Sequence, residues 1–124
     1  MKLKLKIFLA LFSLFFIYTL FVYTKGAEGP PIAMNEKAIE GKLLFQKYNC
    51  TACHQLYGLG GYLGPELTTI ISQPGREPYS RAILKTGTQR MPDFHLNEAE
   101  VDNLIEFLKY VDATAITYKG KSHS

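Results

Sequence analysis

The sequence predicts an all-α protein: one apolar, membrane-length helix at the N-terminus, then a small, loop-rich helical domain. Three observations carry this reading. Residues 7–23 contain no charge, and only Ser13 and Thr19 interrupt their apolar run. Apolar side chains recur at helical spacing over residues 101–111, and no stretch alternates convincingly enough for a strand. A chain of 124 residues leaves room for one modest domain beside the N-terminal helix. The formal charge is +3, but it is unevenly placed: Lys2, Lys4, Lys6 and Lys25 against Glu28 carry the whole excess. From Asn35 onward ten basic and ten acidic residues balance, which excludes a basic nucleic-acid footprint. The first 24 residues hold 18 of the apolar side chains, leaving 40 in the last 100. That is lean for a small core, so a disulfide, a metal or a cofactor would help hold it.

The N-terminal helix is justified by length and flanks. Residues 7–23 span about 26 Å, close to the roughly 30 Å hydrocarbon core of a bilayer. Lys4 and Lys6 can snorkel to one interface, and Tyr18 and Tyr23 suit the other. A cleaved signal peptide has a shorter apolar stretch and small residues at its end, whereas this segment stays bulky through Phe21, Val22 and Tyr23. The expectation is an uncleaved signal-anchor over residues 1–24. Its lysines keep the N-terminus cytoplasmic and place the remainder outside, in a compartment that permits thiol chemistry. Residues 25–34 read as a linker, with Gly29, Pro30 and Pro31 opposing regular structure. Its ten residues reach at most about 33–36 Å. The soluble domain is assigned to residues 35–112 and a polar tail to 113–124.

Within the domain, Asn35 is an N-cap candidate for a helix from Glu36 to about Tyr48. Gly41 inside it costs about 1 kcal/mol relative to Ala, which makes sense where another helix crosses closely. A shorter helix is expected over residues 79–85, after Pro78. The last begins at Asn97 with a capping-box pattern to Glu100, and Leu96 and Val101 are spaced for a hydrophobic staple. Its apolar face is Val101, Leu104, Ile105, Leu108 and Val111.

Cys50-Thr51-Ala52-Cys53-His54 carries the chemistry. C-x-x-C-H is the c-type haem attachment pattern: two thiols add to the haem vinyl groups and the histidine ligates iron. A thioredoxin-like pair would need a βαβ unit, which is absent, and zinc would need Cys50, Cys53 and scattered His54, His95 and His123 to converge. Met91, followed by Pro92, is the best second axial ligand, with His95 as its rival. A neutral thioether opposite histidine raises the haem potential and leaves no open position, which makes an electron carrier, not a catalyst. Met34 and His123 are poorly placed for the same role. Gly58, Gly60, Gly61 and Gly64 would let backbone approach the haem or another molecule closely. Pro65 has a free carbonyl suited to accept the Nδ1–H of His54, fixing the ring and increasing its basicity; the alternative is a simple turn.

These residues resemble a class I-type monohaem cytochrome c over residues 36–111. The attachment motif, then Gly64-Pro65-x-Leu67, then Met91-Pro92, occur in that family's order. Gly41 and Phe45, with Leu104 and Phe107, look like its crossing terminal helices. A narrower resemblance rests on Gly41-Lys42-Leu43, on Gly58-Leu59-Gly60-Gly61-Tyr62 and on Asp93-Phe94-His95-Leu96. With the attachment motif, these are similar to the small subunit of bacterial cytochrome c-dependent nitric oxide reductase. That resemblance implies one covalent haem c and a single-pass location in the bacterial cytoplasmic membrane, with the haem domain on the periplasmic side. It also implies a non-catalytic role: taking electrons from a soluble donor, such as a small cytochrome c or cupredoxin, and passing them to a large multi-helix haem-containing catalytic subunit. An interfacial calcium with Gly60 and Tyr62 as ligands is likewise implied by the resemblance. Two alternatives stand beside this reading, the first left open by the short linker, the abbreviated stretch between Leu67 and Met91 and the brief polar tail. One is a cytochrome c subunit of another haem–copper oxidase-type complex. The other is a free-standing tethered cytochrome that shuttles between respiratory complexes. Lys42, Lys47, Arg81, Lys85 and Arg90 could form a local basic patch, with a solvated distribution as the default.

Overall fold

In the computed structural model, residues 1–26 and 32–115 are described. The chain divides into two units, Met1–Pro31 and Ile32–Ser124. Half of the expected linker and most of the polar tail, including His123, lie outside the described residues.

The first unit is a single helix, α1 (Lys2–Lys25). None of its residues is buried, and it is long and apolar enough to cross a membrane. At 1.5 Å per residue it is about 36 Å long. Phe8, Phe12 and Phe16 stack along one side at i,i+4 spacing, with ring centroids 6.2 and 6.5 Å apart.

The second unit contains α2 (Glu36–Lys47), β1 (Gln55–Leu56), β2 (Leu59–Gly60), α3 (Arg76–Thr86) and α4 (Glu98–Thr114). Asn35 caps α2 by accepting the Ala38 N–H at 2.8 Å. Asn97 and Glu100 form the expected capping box on α4, at 2.9 Å each way. The five residues of the expected apolar face are all buried, and so are Phe107 and Asp112. Burial on more than one stripe follows from α4 packing against both α2 and α3. Phe45 of α2 and Phe107 of α4 meet with ring centroids 5.4 Å apart.

Gly41 marks the crossing of α2 and α4. A Cβ there would lie 1.9 Å from the Asn103 carbonyl oxygen and 2.9 Å from the Phe107 Cβ. No larger residue fits without moving a helix.

Three boundaries differ from the sequence reading. The α3 helix starts at Arg76, not at 79, with Pro78 inside its first turn; an N–H missing there has no intrahelical acceptor to lose. The α4 helix continues to Thr114, and Ala115 is buried, so the expected tail boundary at 113 cuts through the last helical turn. A two-residue antiparallel hairpin, β1–β2, occupies a stretch read as loop. Tyr57 and Gly58 turn it with φ of 53° and 77°, the positive pair that a tight hairpin of this hand requires. Two-residue strands are too short to show any alternation in sequence.

Candidate haem-binding site

The attachment segment begins where α2 stops. Asn49, at φ 51°, turns the chain into a 3₁₀ turn over Cys50–Ala52. The N–H groups of Cys53 and His54 both donate to the Cys50 carbonyl, at 3.2 and 2.9 Å. The two thiols are not joined to each other. Burial pushes the Cys50 thiol up to about 11; a backbone hydrogen bond opposes this and neighbouring Cys53 adds to it. A redox-active pair needs the opposite shift, toward thiolate. Among the described residues no group of three or more His, Cys, Asp or Glu could hold a metal ion, which leaves the zinc reading without a ligand set there.

His54 is held from two sides. Its Nδ1 lies 2.8 Å from the Pro65 carbonyl oxygen, so Nδ1 carries the proton and Nε2 keeps its lone pair for another partner. Gly64 packs flat against the ring: a Cβ there would sit 2.4 Å from Cε1 and 2.5 Å from Nδ1. Gly60 and Gly61 do the same against backbone, where a Cβ would come within 2.1 Å of the His54 carbonyl oxygen and 2.0 Å of that of Ala52. The glycines therefore bring the chain against its own attachment segment and the histidine.

Cys50, Cys53, His54, Pro65 and Met91 line one cavity of about 780 Å³, within the roughly 300–1,000 Å³ range of cofactor pockets. Tyr48, Ile70, Phe94 and Leu108 supply apolar wall. The Met91 loop is tied to itself: the Thr88 N–H donates to the Met91 carbonyl at 2.8 Å, and the Met91 N–H returns to the Thr88 hydroxyl at 3.0 Å. Gly87, at φ 64°, lets the loop leave α3; a Cβ there would lie 2.7 Å from the Met91 carbonyl oxygen. Neither Gly87 nor Thr88 stands out in the sequence as a site residue, although a glycine just past a helix end is a stop signal.

His95 does not line the cavity. Its side chain is 88% exposed and lies 3.3 Å from the Asp93 carboxylate, while its backbone N–H donates to Asp93 Oδ1 at 2.7 Å. Met34 packs partly buried against the core. Gly60 is exposed, and Tyr62 is 89% exposed, beside Leu59 and Leu63 at 76% and 75%. Of the basic residues named above, Arg81 pairs with Glu77 and Asp102, and Lys85 with Glu98. Lys47 sits over the Tyr48 ring.

Residues 36–108 match the family described as cytochrome C oxidase, cbb3-type, subunit III. The chain belongs to this cytochrome c family. Its cofactor is therefore haem c, and the cavity suits that group: two thiols and a tautomerically fixed imidazole share it with a thioether and apolar walls. The cytochrome c domain is 37% identical over 87 residues to a nitric oxide reductase subunit from Stutzerimonas stutzeri, covering 62% of this chain and 60% of that one. It is 29% identical over 93 residues to the like-named reductase subunit from Cereibacter sphaeroides, covering 64% and 63%. A cytochrome c-553-like protein of Synechocystis is 30% identical over 78 residues, covering 63% of this chain and 72% of that one. The match thus spans about three fifths of the length of the two reductase subunits.

Proposed function

We propose that this chain is the membrane-anchored, electron-carrying subunit of a nitric oxide reductase and is not its catalytic part. The observation that carries the carrier reading is the convergence of Cys50, Cys53, His54 and Met91 on one cavity, while His95 is turned to solvent. Cys50 and Cys53 would hold the haem through thioether links, and His54 Nε2 and the Met91 thioether would ligate its iron. When bound, haem c supplies reversible one-electron chemistry of its iron. Pro65 holds the imidazole proton on Nδ1, which increases ring basicity, and the apolar wall lowers the polarity around the ligand atoms. With His54 and Met91 both engaged, the iron would have no position left for a substrate.

The reductase assignment is supported by the relatives' names and by the exposed Leu59, Tyr62 and Leu63, an apolar strip suited to a docked face. The partner is a large multi-helix haem-containing catalytic subunit, and a small soluble cytochrome c or cupredoxin is the donor. Gly60 and Tyr62 lie on that exposed loop and are the proposed calcium ligands at the junction. Lys2, Lys4 and Lys6 orient α1 with the haem domain on the periplasmic face of the bacterial cytoplasmic membrane.

Detergent extraction and purification of the full chain tests this reading. Recovery with a large haem protein that consumes nitric oxide supports it; recovery as a stable monomer overturns it. The family description favours one second reading, a subunit of an oxygen-reducing haem–copper complex. Consumption of oxygen and not nitric oxide by the same preparation would select that reading.

A further inference from the structure

Five hydrogen bonds tie residues 61–68 alongside residues 51–57 in parallel register. They join Gly61 N to Thr51 O (2.9 Å), Gly64 N to Cys53 O (2.7 Å), His54 Nδ1 to Pro65 O (2.8 Å), Leu67 N to Gln55 O (2.9 Å) and Tyr57 N to Thr68 Oγ1 (2.6 Å). Four of the five end on a backbone carbonyl. The last ends on a hydroxyl, and that hydroxyl belongs to Thr68, a polar residue with no exposed surface.

The direction of this last bond is settled by its neighbours. Tyr57 N is a donor, so Thr68 Oγ1 accepts from it; the hydroxyl proton then goes to the Glu66 carboxylate, its close partner. Glu66 Oε1 also accepts the Thr68 N–H at 3.1 Å. The result is a polarised chain, Tyr57 N–H to Thr68 O–H to Glu66 carboxylate, in which each bond strengthens the next. It begins at the hairpin corner and closes on the residue directly after Pro65.

We propose that Thr68 is a positioning residue for the axial histidine: its buried hydroxyl holds the Pro65 carbonyl on His54 Nδ1–H. The proline ring already fixes φ at residue 65, so what remains free is the rotation that aims its carbonyl. That rotation moves the chain at Glu66, whose side-chain carboxylate is held by both the Thr68 hydroxyl and the Thr68 N–H. The inference rests on His54 being the haem ligand. A firm Nδ1–H···O bond makes the imidazole a better electron donor and favours the oxidised iron, so loosening it shifts the equilibrium toward the reduced form.

The test uses the full chain carrying its covalent haem, in detergent. Thr68→Val keeps the shape and removes the hydroxyl, and Thr68→Ser restores it. Three quantities are measured: the midpoint potential, the solvent-exchange rate of His54 Nδ1–H by NMR on ¹⁵N-histidine protein, and the thermal midpoint. Thr68→Val is expected to move the one-electron equilibrium about tenfold toward reduction, about 59 mV upward, and to speed Nδ1–H exchange. Thr68→Ser is expected to return both to the wild-type values. A lower thermal midpoint with unchanged potential and exchange would show a purely structural threonine and overturn the proposal. Where Thr68→Val does not accumulate, Glu66→Gln decides on exchange rate alone, because losing a charge raises a potential by itself: faster exchange supports the proposal and an unchanged rate overturns it. Wild-type protein without covalent haem would instead overturn the haem-ligand reading, before any variant is compared.

Discussion

A methyl group on Gly64 would fall 2.4 Å from the His54 ring, closer than any unstrained carbon contact. Gly64→Ala therefore has to push aside the imidazole or the Pro65 turn. We expect it to lose about 1–3 kcal/mol, the usual range for overpacking, and to perturb the haem absorption spectrum. Thermal unfolding followed at the haem bands checks both effects together. The axial assignment is testable at the same scale. Met91→Ala should abolish the weak long-wavelength methionine–iron band of the oxidised protein and lower its potential, since a thioether ligand raises it. His95→Ala should change neither, because its side chain is 88% exposed and faces Asp93. Loss of that band in His95→Ala, and not in Met91→Ala, would reverse the assignment. Cys50, His54 and Pro65 could be singled out from the motif and from the proline's free carbonyl. Thr68 could not, because nothing in a run such as Leu67-Thr68-Thr69 distinguishes a buried threonine from an exposed one.

The elements are held by the apolar core on α4, by one tight helix crossing and by a set of largely half-buried ion pairs. Gly41→Ala places a Cβ against the Asn103 carbonyl and Phe107, so α2 and α4 must separate. The expected loss is again about 1–3 kcal/mol, after the gain of roughly 1 kcal/mol that alanine brings to a helix interior. A denaturant midpoint that rises in Gly41→Ala would contradict the crossing. Between α3 and α4, the Arg81 side chain binds Asp102 closely, and that hydrogen bond holds the Asp102 carboxyl below its ordinary value of 3.8. A depressed folded value means that the pair stabilises the fold above pH 3.8 and that this contribution fades as pH falls through the lower folded value. Asp102→Asn should therefore narrow the drop in thermal midpoint seen below pH 3.8. The effect is small, as both partners are solvent-accessible. An acid drop identical in both proteins would remove any role for the pair. Capping and the α4 face were readable because each is a local spacing rule, whereas Gly41 by itself marked only a close crossing and the resemblance named α4 as the helix that crosses. The start of α3 and the hairpin were not readable: a proline inside the first turn resembles a boundary, and two-residue strands carry no period.

At the scale of the molecule, the two units answer to different solvents. The N-terminal unit buries none of its helical residues, whereas the second has a core built on α4. Replacing residues 1–25 with a cleavable export signal should release a soluble domain that keeps its haem spectrum. Loss of folding in the released domain would show that α1 contributes to its stability. The lean apolar content has a physical explanation at this scale. The second unit carries a cavity of about 780 Å³ lined largely by apolar side chains, and the haem proposed to occupy it would complete the centre of the domain. Protein made without haem attachment should therefore unfold at a lower temperature than the haem-bearing form, and equal thermal midpoints would contradict this account.

The sequence by itself determined the apolar N-terminal helix, the capped starts of the first and last soluble helices, the apolar face of the last, and the attachment motif. Each depends on neighbours within a few positions, where periodicity, capping and motif spacing act. Only the tertiary structure decided which of Met91 and His95 shares the cavity with His54, what the glycines at 60, 61 and 64 approach, and what anchors the Pro65 carbonyl. Those answers depend on which chain segments lie side by side, and residues 51–57 meet residues 61–68 through single hydrogen bonds that leave no repeat in the sequence.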